Sequence, residues 1–139
     1  MKLLMIYADR FKYKTTTRTI ESVPEINREE AISNVLVGFV QVEKEDEENQ
    51  QYVETKLVKN LKWAARKNST KRIVLHSFAH LSHSKASLEF TMQLLDSAEK
   101  RIDLTDYEVS QTPFGYFLDL DVQAPGESLA RIFEDIKVK

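Results

Sequence analysis

All three histidines of the 139-residue chain fall within eight residues, in the run His76-Ser77-Phe78-Ala79-His80-Leu81-Ser82-His83-Ser84. Imidazole can ligate a metal, move a proton near neutral pH or position a substrate by hydrogen bonding. A metal site needs donors that converge, usually with a carboxylate among them. His76 should lie inside a strand and His80 and His83 beyond its end, so convergence does not follow and no metal is expected. From spacing alone, His80 is either an acid–base or positioning group or part of a solvated loop. Ser77 and Ser82 have histidine neighbours, but a serine nucleophile needs a base oriented by a third group, and no G-x-S-x-G elbow frames either serine.

The remaining polar patterns exclude more than they assign. Only three glycines occur, at 38, 115 and 126, which makes a phosphate-cradling loop implausible. Phe114, Tyr116 and Phe117 could stack on a nucleobase, although aromatics in strands more often fill cores. Asp119 and Asp121 share one strand face and could do acid–base work or hold a cation; a solvated outer face is the simpler reading. The absence of cysteine excludes disulfides, a thiol nucleophile and cysteine-ligated zinc, and fits a reducing cytosol. A net charge of −2 argues against a general RNA binder but leaves room for a local contact. No stretch approaches the ~20 apolar residues of a membrane helix. The opening MKLLMIYADR is cut by Asp9 and Arg10 and reads as a buried strand rather than a signal sequence.

The elements that must position these groups follow from periodicity. Residues 2–8 read as a buried strand, 11–20 as an exposed hairpin strand and 35–43 as the strongest strand of the chain. Gly38 inside that strand marks a bulge or a close backbone approach. The acidic run Glu43–Glu48 should stand at a helix N-terminus, ahead of an apolar face of Val53, Leu57, Val58, Leu61, Ala64 and Ala65. A strand over 72–78 completes a strand–helix–strand unit. A second helix is expected over 87–102 with Leu88, Met92, Leu95 and Ile102 inward, then strands over 107–112 and 115–122. A last helix is expected over 127–138, from Leu129, Ile132, Phe133 and Ile136 at helical spacing. The sum is one α+β or mixed α/β domain of about six or seven strands and three helices. On the residues alone the function stays open; fold does not determine it, and a small-molecule-binding regulatory domain is also compatible.

Four segments resemble the archaeal threonyl-tRNA synthetase editing domain, which shares its fold with D-aminoacyl-tRNA deacylases. They are MKLLMIYAD (1–9), VLVGFVQVEKEDEEN (35–49), SFAHLS (77–82) and TPFGYF (112–117), in the family order. The resemblance implies a cytoplasmic proofreading hydrolase acting on the ester between serine and the 3′-terminal adenosine of tRNA(Thr), without a cofactor. The need for such a step is physical: one missing methyl gives a synthetic site only ~1–3 kcal/mol of discrimination. By the same resemblance, main-chain groups near Ala79 would hold the aminoacyl moiety with His80 against it. Phe39, Val42, Ser77, Phe78, Tyr116, Phe117, Leu118 and Arg131 occupy the remaining substrate-binding positions. The implied partners are tRNA(Thr), the synthetase catalytic domain in cis or in trans, and a second copy of the chain; no membrane is implied. The family pattern has Tyr-Lys at Phe117-Leu118, Glu in the last helix at Arg131 and Pro at Ser77. Two readings are therefore open: catalysis by main-chain donors and the RNA 2′-hydroxyl, or an inactive tRNA-acceptor-binding and dimerisation module.

Overall fold

The computed structural model describes all 139 residues. Strand β1 (Lys2–Arg18) is one 17-residue strand rather than two short ones, and its antiparallel partner β2 (Glu29–Gln41) begins six residues before the apolar run. The pairing continues past the polar tips because each strand covers the other's backbone groups, so the ladder outlasts the hydrophobic pattern. Helix α1 (Gln50–Lys67) leads to β3 (Arg72–Ser77), and helix α2 (Leu88–Asp103) leads to β4 (Glu108–Gln111). Both crossovers give parallel neighbours, β3 on β2 and β4 on β3. The chain closes with β5 (Tyr116–Gln123) and β6 (Arg131–Asp135), which pair with successive parts of β1 in the order β4-β3-β2-β1-β5, with β6 beside the start of β1.

The helices cover one face of this sheet. Val53, Leu57, Leu61, Ala64 and Ala65 of α1 meet Leu3, Met5, Leu36 and Ile73 in a 20-residue core, as the helical period requires. Val37 and Phe39 of β2 and Val74 of β3 alternate with the residues of that core and form a second cluster on the other face, joined by Ala8, Phe11 and Tyr13 of β1. Gly38 makes the close approach rather than a bulge: the register through it is regular, and an added Cβ would lie 2.6 Å from Leu61 Cδ2.

Three sequence expectations are corrected. Residues 131–135 form a strand, not a helix, so the fold has two α-helices. The spacing of Leu129, Ile132, Phe133 and Ile136 is helical, but the open edge at the start of β1 takes up the segment as a partner, which turns Ile132 and Ile136 to the core and leaves Leu129 and Phe133 exposed. The acidic run does not cap α1. It forms a 3-10 turn over Lys44–Glu48, while Asn49 caps α1 by accepting from Tyr52 N; Glu43 and Asp46 face the amino group of Met1 at 2.8 and 3.0 Å. In α2 the inward face is Thr91, Leu94, Leu95, Ala98 and Ile102, leaving Leu88 and Met92 exposed, because α2 packs on α1 and β4 through the other apolar stripe.

Gly38→Ala is expected to lower stability by about 1–3 kcal/mol, the range for overpacking a filled core. Urea unfolding reads it, and the loss should shrink when Leu61 is changed to Val in the same chain.

Candidate functional site

The polypeptide leaves β3 at Ser77 and turns through residues 78–84, and this loop is held from below by buried groups at the end of β2. Phe78 N donates to Val40 O at 2.9 Å. The side chain of Gln41, only 2% exposed, then makes three hydrogen bonds to the loop. Its Oε1 accepts from Leu81 N at 2.6 Å, and its Nε2 donates to the carbonyls of Ser82 and Ser84, both at 2.8 Å. Ser82 Oγ donates to Glu43 Oε2 at 2.6 Å. Burial pushes the Glu43 carboxyl up, but hydrogen bonds from the Met1 amino group and Ser82 outweigh it and hold the group below the usual carboxylate range. An acceptor kept ionised makes the stronger hydrogen bond, which suits an anchor.

The loop forms one wall of a cleft of about 300 Å³, and the residues leading into β5 form the other. His76, Ser77, Phe78, Ala79 and His80 face Pro113, Phe114, Gly115, Tyr116, Phe117, Leu118 and Leu120 across it, with Thr19, Ile20 and Leu88 at its margins. Gly115 turns this second wall at φ +86°, and an added Cβ would meet Val23 at 3.0 Å, so only glycine suits the position. The Tyr116 hydroxyl accepts from Ile26 N and donates to Pro24 O, both at 2.6 Å, which leaves its ring as the cleft-facing part. No residue lining the cleft carries a formal charge at neutral pH with histidine neutral. Its polar capacity comes from the histidines, Ser77 and the main chain. The N–H groups of Ala79 and His80 donate to no atom of the chain.

His76 stands beneath these groups, edge-on to Phe39 with ring centroids 5.2 Å apart. Phe39 and Phe78 pack the same way at 5.2 Å, and Phe78 meets His80 at 4.9 Å, so an aromatic relay supports the loop. His76 Nδ1 shares a hydrogen bond of 2.8 Å with Thr112 Oγ1. Its Nε2 has no partner in the chain, and no sealed side-chain nitrogen or oxygen is left unpaired, so Nε2 keeps its access through the cleft. Burial lowers the His76 pKa to about 4, leaving the ring neutral at physiological pH.

A family model described as the Archaea-specific editing domain of threonyl-tRNA synthetase matches residues 1–136. The chain belongs to this editing-domain family. Relatives include the threonine–tRNA ligases of Methanosphaera stadtmanae, 30% identical over 98% of this chain, and of Thermofilum pendens, 32% identical over 99%. The chain spans 22% and 23% of the length of those two ligases. A solved structure of a c-Myc DNA Unwinding Element Binding Protein covers 99% of the chain with a TM-score of 0.69 at 13% identity, a likeness of fold alone. The expected fold class, α+β and deacylase-like, holds.

The editing domain brings seven of the ten sequence-derived site residues together around the cleft: Ser77, Phe78, Ala79, His80, Tyr116, Phe117 and Leu118. Phe39 supports them from the layer below. Val42 is buried in the main core, its carbonyl accepting from Ala86 N at 3.0 Å, and does not line the cleft. Arg131 lies apart, opposite Ile6 on β6, with its guanidinium donating to Pro125 O at 3.0 Å. Its expected place in a final helix fails with that helix. Asp119 and Asp121 are exposed on β5, the solvated face the alternation favours. The histidines do not converge: His76 is buried and bonded to Thr112, whereas His80 and His83 are exposed. Sequence reasoning missed Gln41, whose only signal was a lone polar residue in an apolar strand, and Leu88, which belongs to the cleft margin rather than the core.

Two outcomes follow from this geometry. Folding disfavours the protonated His76 ring, so its contribution to stability is complete above about pH 6.5 and is lost as pH falls toward about 4. Relative to His76→Gln, the unaltered chain is expected to lose up to about 3 kcal/mol between those limits; parallel urea-stability profiles would refute it. Gln41→Leu strands the Leu81 N–H and two carbonyls, should cost about 1–3 kcal/mol and should speed proteolytic cleavage within residues 78–84.

Proposed function

We propose that the 139 residues act in the cytoplasm as one editing domain that hydrolyses the ester linking serine to the 3′-terminal adenosine of tRNA(Thr). The supporting observation is that Ala79 and His80, whose N–H groups donate to no atom of the chain, line a cleft without Asp, Glu, Lys or Arg side chains. Preorganised amides in such surroundings stabilise a developing oxyanion without reorganisation. Water attacks the ester carbonyl carbon, the carbonyl oxygen takes negative charge toward these amides, and the bond to the ribose 3′-oxygen breaks. That oxygen leaves with a proton, releasing serine and the free RNA end. The substrate's own 2′-hydroxyl helps place the water. His80 lies against the aminoacyl group, and Phe78, Tyr116 and Phe117 offer the apolar surfaces that terminal adenosine requires. In this reading the synthetase body and a second copy of the chain are the protein partners.

A second reading has its own support. Phe117 and Leu118 stand where the family pattern carries Tyr-Lys, so the cleft lacks a side-chain cation for the RNA or the reaction. On that reading the domain binds the acceptor end without turnover.

Deacylation assays with seryl- and threonyl-tRNA(Thr) separate the two. The seryl ester is expected to be lost roughly tenfold or more faster than the threonyl ester. Ala79→Phe, which fills the cleft, is expected to reduce the seryl rate about a hundredfold. Decay of both esters at the buffer rate, with tRNA still bound, favours the binding module.

A further inference from the structure

Helix α1 carries a second surface, unconnected with the cleft. From Lys56 to Lys67 every side chain not buried against the sheet is a cation, apart from Asn60 and Trp63. The five cations, Lys56, Lys59, Lys62, Arg66 and Lys67, take part in none of the ion pairs of the molecule. The one acid on the helix, Glu54, is buried and held by Ser97 and Arg101. Cations at 56 and 59, at 59 and 62, and at 62 and 66 sit three or four residues apart, a spacing at which like charges destabilise a helix. The chain as a whole is slightly acidic, so this positive face is a local concentration rather than a general excess.

Shape and composition indicate the ligand. Lys56, Lys59, Lys62 and Arg66 border a shallow hollow of about 520 Å³ that also takes in Asn60, the exposed ring of Trp63 and one acid, Glu134 of β6, while Lys67 Nζ lies 5.9 Å from the Trp63 ring centroid. Twelve helical residues extend ~16 Å, enough to face several phosphates of one RNA strand. Four of the five cations are lysines, which are depleted in protein–protein interfaces but serve phosphate neutralisation well. We propose that the outward face of α1 binds the phosphodiester backbone of a structured RNA, with Lys59, Lys62 and Arg66 on phosphates and Trp63 against a sugar or base. The proposal goes beyond the cleft reading and does not depend on it.

The test is binding of the 139-residue chain to a blunt-ended RNA hairpin, which has no 3′ overhang to enter the cleft. Affinity is expected to fall steeply as salt rises. The double variant Lys59→Gln/Arg66→Gln should bind about tenfold more weakly at low salt, with the log–log salt slope reduced by about two. Trp63→Ala should also weaken binding while leaving the thermal midpoint in place. Equal hairpin affinity for the double variant and the parent overturns the proposal, as does no binding by the parent. Preference of the parent for polyglutamate over the hairpin would also overturn it, assigning the face to an acidic protein. Hydrolysis of a minimal seryl-adenosine ester, which has no phosphodiester backbone to reach α1, is expected to be unchanged in the double variant, so failure of one idea does not carry the other.

Discussion

The loop over residues 78–84 leaves the N–H groups of Ala79 and His80 without partners in the chain, so other contacts must hold it in place. A buried side chain supplies them. Gln41 ends β2 and satisfies three backbone groups of residues 78–84, so Ala79 and His80 keep their N–H groups unclaimed at the turn. A glutamine suits the task because its amide supplies both an acceptor and two donors without a charge that would need its own compensation. Glu43 repeats the tactic one turn further on through Ser82. The rest of the architecture serves this junction: the parallel pairing of β2 with β3 sets Gln41 beside the exit of β3, and α1 fastens both strands from behind.

The chemistry available in the cleft follows from what is absent around it. Without an Asp, Glu, Lys or Arg side chain in the lining, the field in the cleft is set largely by backbone dipoles and by the neutral ring of His76. Burial keeps His76 in the neutral form, and its partner Thr112 fixes the ring's orientation. A cleft of this kind tolerates the replacement of polar neighbours better than one built on an ion pair, where removing one partner leaves a buried charge.

Sequence reasoning located what is local and missed what is tertiary. The α1 face from Val53 to Ala65 and the end of β3 follow from periodicity and backbone preference over a few residues, and each is where it was expected. Six of the ten site residues were legible because two contiguous motifs, 77–82 and 112–117, carry them, and Leu118 directly follows the second. The segment 131–135 was misread because its apolar spacing is helical, whereas its strand character comes from pairing with β1, more than a hundred residues earlier. Arg131 was misplaced for the same reason. The inward face of α2 depended on which of two apolar stripes met α1, and the role of Gln41 on hydrogen bonds to a loop about forty residues away.

The arrangement of partners along β1 also has a consequence for the order of events during synthesis. β1 is the first strand to be made, yet one of its edges is filled only by β5 and β6, from residues 116–135. A growing chain can complete the β1–β2 hairpin and both helices while that edge still presents unpaired backbone. Pairings of such long sequence separation form late and slowly, and an open edge is where chains associate wrongly. The vulnerable interval for this domain is therefore the time between emergence of its first strand and emergence of its last.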